Sequence, residues 1–292
     1  MAEELISIII TTYKGGDTIE RAVKSVLAQT YSNIEVIVVD DNGLNTPEQK
    51  ETQKILEQYP SVRYIPHEQN RNGSAARNTG MQAANGEIIA LLDDDDVFLA
   101  EKIEKQYAAM KRAHATVCYT GLRVVFPSGV ERDVISDAEG MIFSRVIQRE
   151  IEAPTSVLMF TKKAALAIGG FDESFRRHQD WEFMDRLTED NCVASVKEVC
   201  LLRYIVDRNT AQSPKRYLEQ RLYYLEKQKP YIEKLDKAEQ KAVYYYHYAE
   251  IMRNYVKAGA VWNALFWFFK AGKPLALLKD SIQKYLNYRN RI

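Results

Sequence analysis

Glu87-Ile88-Ile89-Ala90-Leu91-Leu92-Asp93-Asp94-Asp95-Asp96 is the stretch on which the fold turns. Its apolar part, bounded by Gly86 and by acids, has the length and makeup of a buried strand. Four carboxylates where such a strand emerges repel one another and lose hydration. They either spread into solvent as an acidic turn or gather around a cation or a donor-rich ligand. Oxygen ligands in this number suit Mg²⁺ or Mn²⁺, ions that commonly bridge carboxylates to substrate phosphates.

The same pattern repeats upstream. Leu5–Ile10 is a β-branched run ending in Thr11-Thr12-Tyr13 and a Lys14-Gly15-Gly16 turn. A helix is expected from about Asp17, with Ile19, Ala22, Val23, Val26 and Leu27 on one stripe. Ile34–Val39 is a second buried strand, again ending in acids, Asp40-Asp41. Helix Pro47–Gln58, strand Val62–Ile65 and helix Ser74–Ala84 lead into the quoted stretch. Strands alternating with helices predict a parallel, right-handed doubly wound sheet. Ligands of such sheets sit beyond the carboxyl ends of the strands, the edge that holds Tyr13, Asp40, Asp41 and Asp93–Asp96.

After Lys111 the period changes. Strands are expected at Thr116–Phe126, Val130–Val134 and Ser156–Thr161, with short helices near Met141–Gln148 and Lys162–Ile168. Asp180–Glu189 reads as a helix and Cys192–Val206 as a strand pair or one long strand. From Pro214 the chain reads as helices over about 214–228, 236–257 and 260–290, with turns at Pro230, Gly259 and Gly272-Lys273-Pro274. With 292 residues, one large domain plus an appendage is expected.

Forty basic and forty acidic side chains cancel, so global charge points away from a nucleic-acid partner. Cys118, Cys192 and Cys200 have no metal-ligand or paired spacing, which fits free thiols in a reducing compartment. The acidic start, Met1-Ala2-Glu3-Glu4, is unlike a signal peptide. Ala260 to Phe269, the longest aromatic-apolar stretch, is about half of a membrane-spanning helix. A cytoplasmic protein is expected, with contact at the inner face of the cell membrane left open. Trp262, Phe266, Trp267, Phe268 and Phe269, followed by Lys270, Lys273, Lys279, Lys284, Arg289 and Arg291, suit either membrane docking or packing, on the preceding domain or in a homo-oligomer.

At this point the chain resembles a known family. Ser7-Ile8-Ile9-Ile10-Thr11-Thr12-Tyr13, Ala22-Val23-Lys24-Ser25-Val26-Leu27-Ala28-Gln29-Thr30-Tyr31 and Glu35-Val36-Ile37-Val38-Val39-Asp40-Asp41-Asn42 are similar to the opening of the family 2 glycosyltransferases. Asn72-Gly73, Ala76-Arg77-Asn78-Thr79-Gly80, Ala84-Asn85-Gly86-Glu87, the acidic run, Gly169-Gly170-Phe171-Asp172 and Gln179-Asp180-Trp181-Glu182 continue it in order. The resemblance covers roughly residues 5–205, and its specificity lies in the ordered series.

It implies an α/β chain of GT-A fold: a Rossmann-like nucleotide-binding sheet over 1–111, a mixed acceptor-binding half over 112–212, and a helical C-terminal region over 213–292. It implies an inverting, metal-dependent transfer of a sugar from a nucleotide-diphosphate donor, a UDP-sugar, to a hydroxyl. The acceptor would be a glycan or lipid-linked saccharide of a bacterial cell-surface polysaccharide. Thr11 and Tyr13 would lie against base and ribose, and Asp41 or Asp40 would read the uracil edge. Asn72, Arg77, Asp93 and Asp94 would complete the donor site. Asp95, with Asp93, would hold Mn²⁺ or Mg²⁺, and Asp180 would be the catalytic base.

Each residue also has a blander reading. Asp40-Asp41 could end a strand in a turn, Tyr13 could be loop packing, Arg77 a helix-surface residue and Asp180 an N-cap. Gln179 stands where the family often has Glu. The family's Arg-x-His near the domain end is replaced by Arg203-Tyr204-Ile205-Val206-Asp207-Arg208. The processive Gln-x-x-Arg-Trp signature is absent, which favours one sugar per encounter. Two alternatives stand beside the enzyme reading. One is a non-catalytic carbohydrate- or nucleotide-binding relative. The other is a haloacid-dehalogenase-type phosphatase built on Asp93-x-Asp95-x-Val97, whose nucleophile strand is usually the first.

Overall fold

A computed structural model describes residues 4–205 and 213–272. They fall into two compact units, one of residues 4–143 and 151–205, the other of 144–150 and 213–272.

The first unit is built on one sheet. β1 (Ile6–Thr12), β2 (Ile34–Asp40), β3 (Val62–Pro66) and β4 (Ile88–Asp93) are parallel, in the order β3-β2-β1-β4. The crossovers are α1 (Ile19–Leu27), α2 (Pro47–Leu56) and α3 (Gly73–Ala83). β1 carries Ile6, Ile8, Ile9 and Ile10 with no exposed surface, so it is apolar on both faces, as a sheet covered by helices on both sides demands. Register sets Thr12 opposite Asp40 and Thr11 opposite Asp93, so three strands end level with one another.

Beyond β4 the sheet becomes mixed. β5 (Asp96–Phe98) and α4 (Lys102–Ala113) are followed by β6 (Val117–Val125), β7 (Glu131–Val134), α5 (Phe143–Ile147), β8 (Leu158–Thr161), α6 (Lys162–Ala167), α7 (Gln179–Glu189) and β9 (Val193–Tyr204). β8 lies antiparallel between β4 and β6, and β9 runs parallel to β6. Two elements escape a pattern reading. β5 is only three residues long and begins on the last acid of the run, pairing antiparallel with β9. α4 is a full helix whose first residue, Lys102, is completely buried; its ammonium group caps the Phe98 ring at 4.0 Å and donates to Gln106 Oε1. A charged residue there conceals an inward-facing position.

The second unit contains residues 144–147 of α5 together with α8 (Pro214–Ile232), α9 (Lys237–Lys257) and α10 (Val261–Lys270). α9 begins on a capping box: Asp236 Oδ1 accepts from Ala238 N and Glu239 N, and Asp236 N donates to Glu239 Oε2. Ala249, Ile251, Met252 and Tyr255 of α9 pack on Ala264, Trp267 and Ala271. The expected turn at Pro230 is not one. α8 continues to Ile232, because a proline in the last turn removes a single backbone donor while its neighbours stay helical. The expected helix beyond 272 and the segment Val206–Arg208 lie outside the described residues.

Candidate active site

The four aspartates of the acidic run meet four different environments. Asp93, the last residue of β4, accepts from Arg77 Nη2 at 2.6 Å and from Thr155 Oγ1 at 3.2 Å, while its own N–H donates to Ser156 Oγ at 3.0 Å. Burial alone would raise the Asp93 carboxyl, but the Arg77 guanidinium beside it holds it below the usual carboxylate range. Asp94 turns the other way and is buried. Its Oδ2 accepts from Thr12 Oγ1 at 2.6 Å and from Tyr13 N at 3.3 Å, so it anchors the loop after β1. That packing explains Gly15: a Cβ there would stand 1.9 Å from Asp94 Oδ2.

Asp95 is partly exposed, and its carbonyl accepts from Arg21 Nη2 at 2.9 Å. Asp96 is buried at the start of β5. Burial, reinforced by the charges of Asp93 and Asp95, pushes its carboxyl up to about 8. Carboxyl groups gathered at one strand end suit a divalent cation. No three His, Cys, Asp or Glu side chains among the described residues are placed to hold one unaided. A donor set of two carboxylates completed by ligand oxygens fits Mg²⁺ or Mn²⁺ chemistry.

The tip of β2 is built differently from its expected role. Asp41 is 2% exposed and accepts four hydrogen bonds. Oδ1 takes His67 Nδ1–H at 2.7 Å and Arg71 N–H at 2.8 Å; Oδ2 takes Asn70 Nδ2–H and Asn72 N–H, both at 2.8 Å. A carboxylate has about four lone-pair sites, so this one is full. The acceptor-only carboxylate makes Nδ1 the donor, and the other ring nitrogen, Nε2, lies 2.9 Å from Thr79 Oγ1. Asp40 is wholly buried, accepting from Asn42 N at 2.9 Å and Tyr64 Oη at 2.7 Å, and burial pushes its carboxyl up. The two acids expected to read a base edge therefore hold the 67–72 loop and the strand tip in this geometry. Thr11 is half-buried and Tyr13 is 45% exposed, and both remain at the open edge.

Asn72 is likewise engaged: its Oδ1 caps α3 through Ser74 N and Ala75 N, and its Nδ2 donates to Glu173 O. Replacing Asp41 by asparagine is expected to set an amide NH₂ against N–H donors and to lower stability by about 2–4 kcal/mol. The check is thermal melting without ligand, where a drop of at least ~4 °C is expected. An unchanged melting temperature with lost nucleotide binding would return Asp41 to a ligand-reading role.

α3 and α7 meet at the same edge. Arg77, buried on α3, bridges Asp93 through Nη2 and Gln179 Oε1 through Nη1, the latter at 3.0 Å; among the described residues its Nε has no hydrogen-bond partner. Gln179 opens α7, donating Nε2–H to Phe175 O, and Asp180 is the next residue in that first turn. His178, in a left-handed conformation, is the N-cap, stacking on Trp181 at 4.2 Å. One residue on from Arg77, Asn78 pins the Gly-Gly-Phe-Asp segment. Its Nδ2 donates to Phe171 O and its Oδ1 accepts from Phe171 N, and Gly170, at φ +72°, leaves no room for a Cβ beside it. Glu182 is buried in an ion pair with Arg186, whose Nη2 also donates to Gly170 O.

The family model described as Glycosyl transferase family 2 matches residues 7–168. The chain belongs to that family. Curated relatives of this glycosyltransferase chain include an uncharacterized glycosyltransferase of Rickettsia conorii, 29% identical over 219 residues, which cover 73% of this chain and 35% of that protein. The chain thus spans about a third of that relative's length. The putative teichuronic acid biosynthesis glycosyltransferase TuaG of Bacillus subtilis is 27% identical, with 72% of this chain and 82% of TuaG covered. The UDP-Glc:alpha-D-GlcNAc-diphosphoundecaprenol beta-1,3-glucosyltransferase WfgD of Escherichia coli is 33% identical over 126 residues, 43% of this chain and 48% of WfgD.

Among solved structures, S. aureus TarS 1-349 in complex with UDP-GlcNAc superposes with a TM-score of 0.64 at 17% identity, over 91% of this chain and 92% of that one. The mannosyltransferase PcManGT of Pyrobaculum calidifontis, in complex with GDP-Man and Mn²⁺, gives 0.64 at 15% identity, over 98% and 82%. The fold is therefore GT-A.

Residues that sequence reasoning passed over are Thr155 and Ser156, both buried in a short 3-10 turn that grips Asp93, and His67 behind Asp41. Their only signal was position: a hydroxyl pair following Pro154, and a histidine just past β3.

Proposed function

We propose that this chain transfers a single sugar from a UDP-sugar to a hydroxyl of a glycan or lipid-linked saccharide, with inversion, in the synthesis of a cell-surface polysaccharide. Residues 1–111 would form the nucleotide-binding half and 112–212 the acceptor half of one catalytic domain. The observation that carries this reading is the unbroken contact chain Asp93–Arg77–Gln179. It links the acidic strand end to the first turn of the helix bearing Asp180. A carboxylate for the donor side and a carboxylate for the acceptor side thereby share one rigid frame.

Thr11 and Tyr13 would line the base and ribose, with the β2 tip behind them built by Asp40, Asp41 and Asn72. Arg77 would orient a phosphate oxygen through its fork, which lysine cannot reproduce. Asp95, assisted by Asp93, would hold Mn²⁺ or Mg²⁺, which when bound would neutralise charge on the departing diphosphate. Asp180 would accept the proton of the acceptor hydroxyl as that oxygen attacks the anomeric carbon, while the bond to the diphosphate oxygen breaks on the opposite face. A UDP donor and a diphosphoundecaprenol-linked acceptor appear in the name of WfgD, which supports that substrate class. PcManGT was solved with GDP-Man, so the GT-A fold accommodates other bases.

The test is thermal stabilisation in Mn²⁺ by nucleoside diphosphates, followed by sugar-dependent release of the favoured one. Uridine diphosphate is expected to raise the melting temperature more than guanosine or adenosine diphosphate. Equal stabilisation by all three would overturn the base preference, and none by any would overturn donor binding.

A further inference from the structure

α10 carries two apolar faces, only one of which is packed among the described residues. Ala264 and Trp267, joined by Ala271 just beyond the helix, are buried against α9, with Tyr248 and Trp267 ring centroids 5.2 Å apart. On the other side Trp262 is 85% exposed, Phe269 68%, Val261 62%, Phe266 60% and Leu265 42%. At 3.6 residues per turn these five fall within about 140° of arc, opposite the packed face. Lys270 flanks the stripe, its Nζ 4.6 Å from the Trp267 ring.

Charge says what kind of surface this stripe meets. From Asn254 to Lys279 the sequence holds no Asp or Glu but four bases, Lys257, Lys270, Lys273 and Lys279, while Arg253 is paired with Glu250. Lys284, Arg289 and Arg291 follow, against Asp280 alone. Exposed Trp and Phe on one side of a short helix, within a stretch of unopposed positive charge, is the makeup of a helix lying in the interface of an anionic bilayer. Indole rings favour the headgroup level. No helix among the described residues is long and apolar enough to cross a membrane, so the contact would be along the surface.

We infer that the Val261–Phe269 stripe docks the protein on anionic lipid. The inference deepens the lipid-linked acceptor reading, since it would bring the active site to the leaflet that carries such acceptors. Its test needs no catalysis: co-sedimentation of the full chain with phosphatidylcholine vesicles, with or without phosphatidylglycerol. The wild-type chain should bind vesicles containing phosphatidylglycerol, less tightly in high salt. Trp262→Ala combined with Phe266→Ala should weaken that binding by ~10-fold or more, with an unchanged melting temperature and unchanged stabilisation by nucleotide, because both side chains lie outside the core.

Failure of the wild-type chain to sediment with anionic vesicles, or equal binding by the double variant, would overturn the inference. So would conversion of a wild-type dimer to monomer by the double variant with lipid binding intact, which would assign the stripe to a second copy. Failure of nucleotide stabilisation in the wild-type chain would instead count against the proposed function and leave the lipid result standing.

Discussion

Asp95→Ala is expected to lose nearly all transfer activity while keeping its fold. The carboxylate sits on the β4–β5 turn, outside the core, and the contact from Arg21 is made to the backbone carbonyl, which alanine retains. Losing a carboxylate that holds charge-neutralising Mn²⁺ or Mg²⁺ at the diphosphate removes on the order of 4 kcal/mol of transition-state stabilisation, ~10³-fold in rate. The stabilisation by uridine diphosphate that depends on Mn²⁺ should vanish with it. Asp94→Ala is the informative neighbour. Its carboxylate holds Thr12 Oγ1 and Tyr13 N, so its loss should lower the melting temperature without ligand. Undiminished transfer by Asp95→Ala, or by the wild-type enzyme in excess chelator, would remove the cation from the account.

The second large effect is expected at Asp180. Asparagine keeps the size of the side chain and its place in the first turn of α7, but it cannot take a proton. The turnover rate should fall by roughly 10²–10⁴-fold while the KM for the donor stays near its wild-type value. The contact from Arg77 to Gln179 is untouched by the substitution, so the donor-side frame should persist. Glu182 provides the contrast: it is buried against Arg186, and Glu182→Gln should cost stability by leaving that guanidinium without its charged partner. A near-normal rate in Asp180→Asn would reassign the base, with His178 and Glu182 examined next.

The parallel half of the fold was legible because its signals are local and redundant. β1 and β4 are nearly unbroken apolar runs, β2 is one after Glu35, all three end in polar residues, and α1 carries the apolar stripe Ile19, Ala22, Val23 and Val26. The mixed half was legible as strands and helices but not as a sheet order. Pairings such as β6 with β9, or β4 with β8, join segments some 70 residues apart and leave no periodic trace. β5 was invisible because three residues cannot establish a period, and its first residue, Asp96, was read with the acids before it.

At the proposed site, residue types say which strand ends carry acids but little about what each acid contacts. Asp41 and Asp94 both satisfy a pattern of acids at strand tips, yet each spends its carboxylate on backbone and side-chain donors of a neighbouring loop. Only coordinates separate an acid that faces a ligand from one that ties down the loop beside it. Gln179 shows the reverse. A departure from the family pattern in sequence turns out to be a neutral acceptor for Arg77, compatible with an arginine already paired to Asp93.

The most direct test of the central claim is release of nucleoside diphosphate from one UDP-sugar, in the presence of acceptor. It would be measured side by side for the wild-type chain, Asp95→Ala and Asp180→Asn, with Mn²⁺ and with chelator. The account predicts release by the wild-type chain in Mn²⁺ alone, loss in both variants, and nucleotide binding retained only by Asp180→Asn. Release that survives chelator, or that survives in either variant, would contradict it.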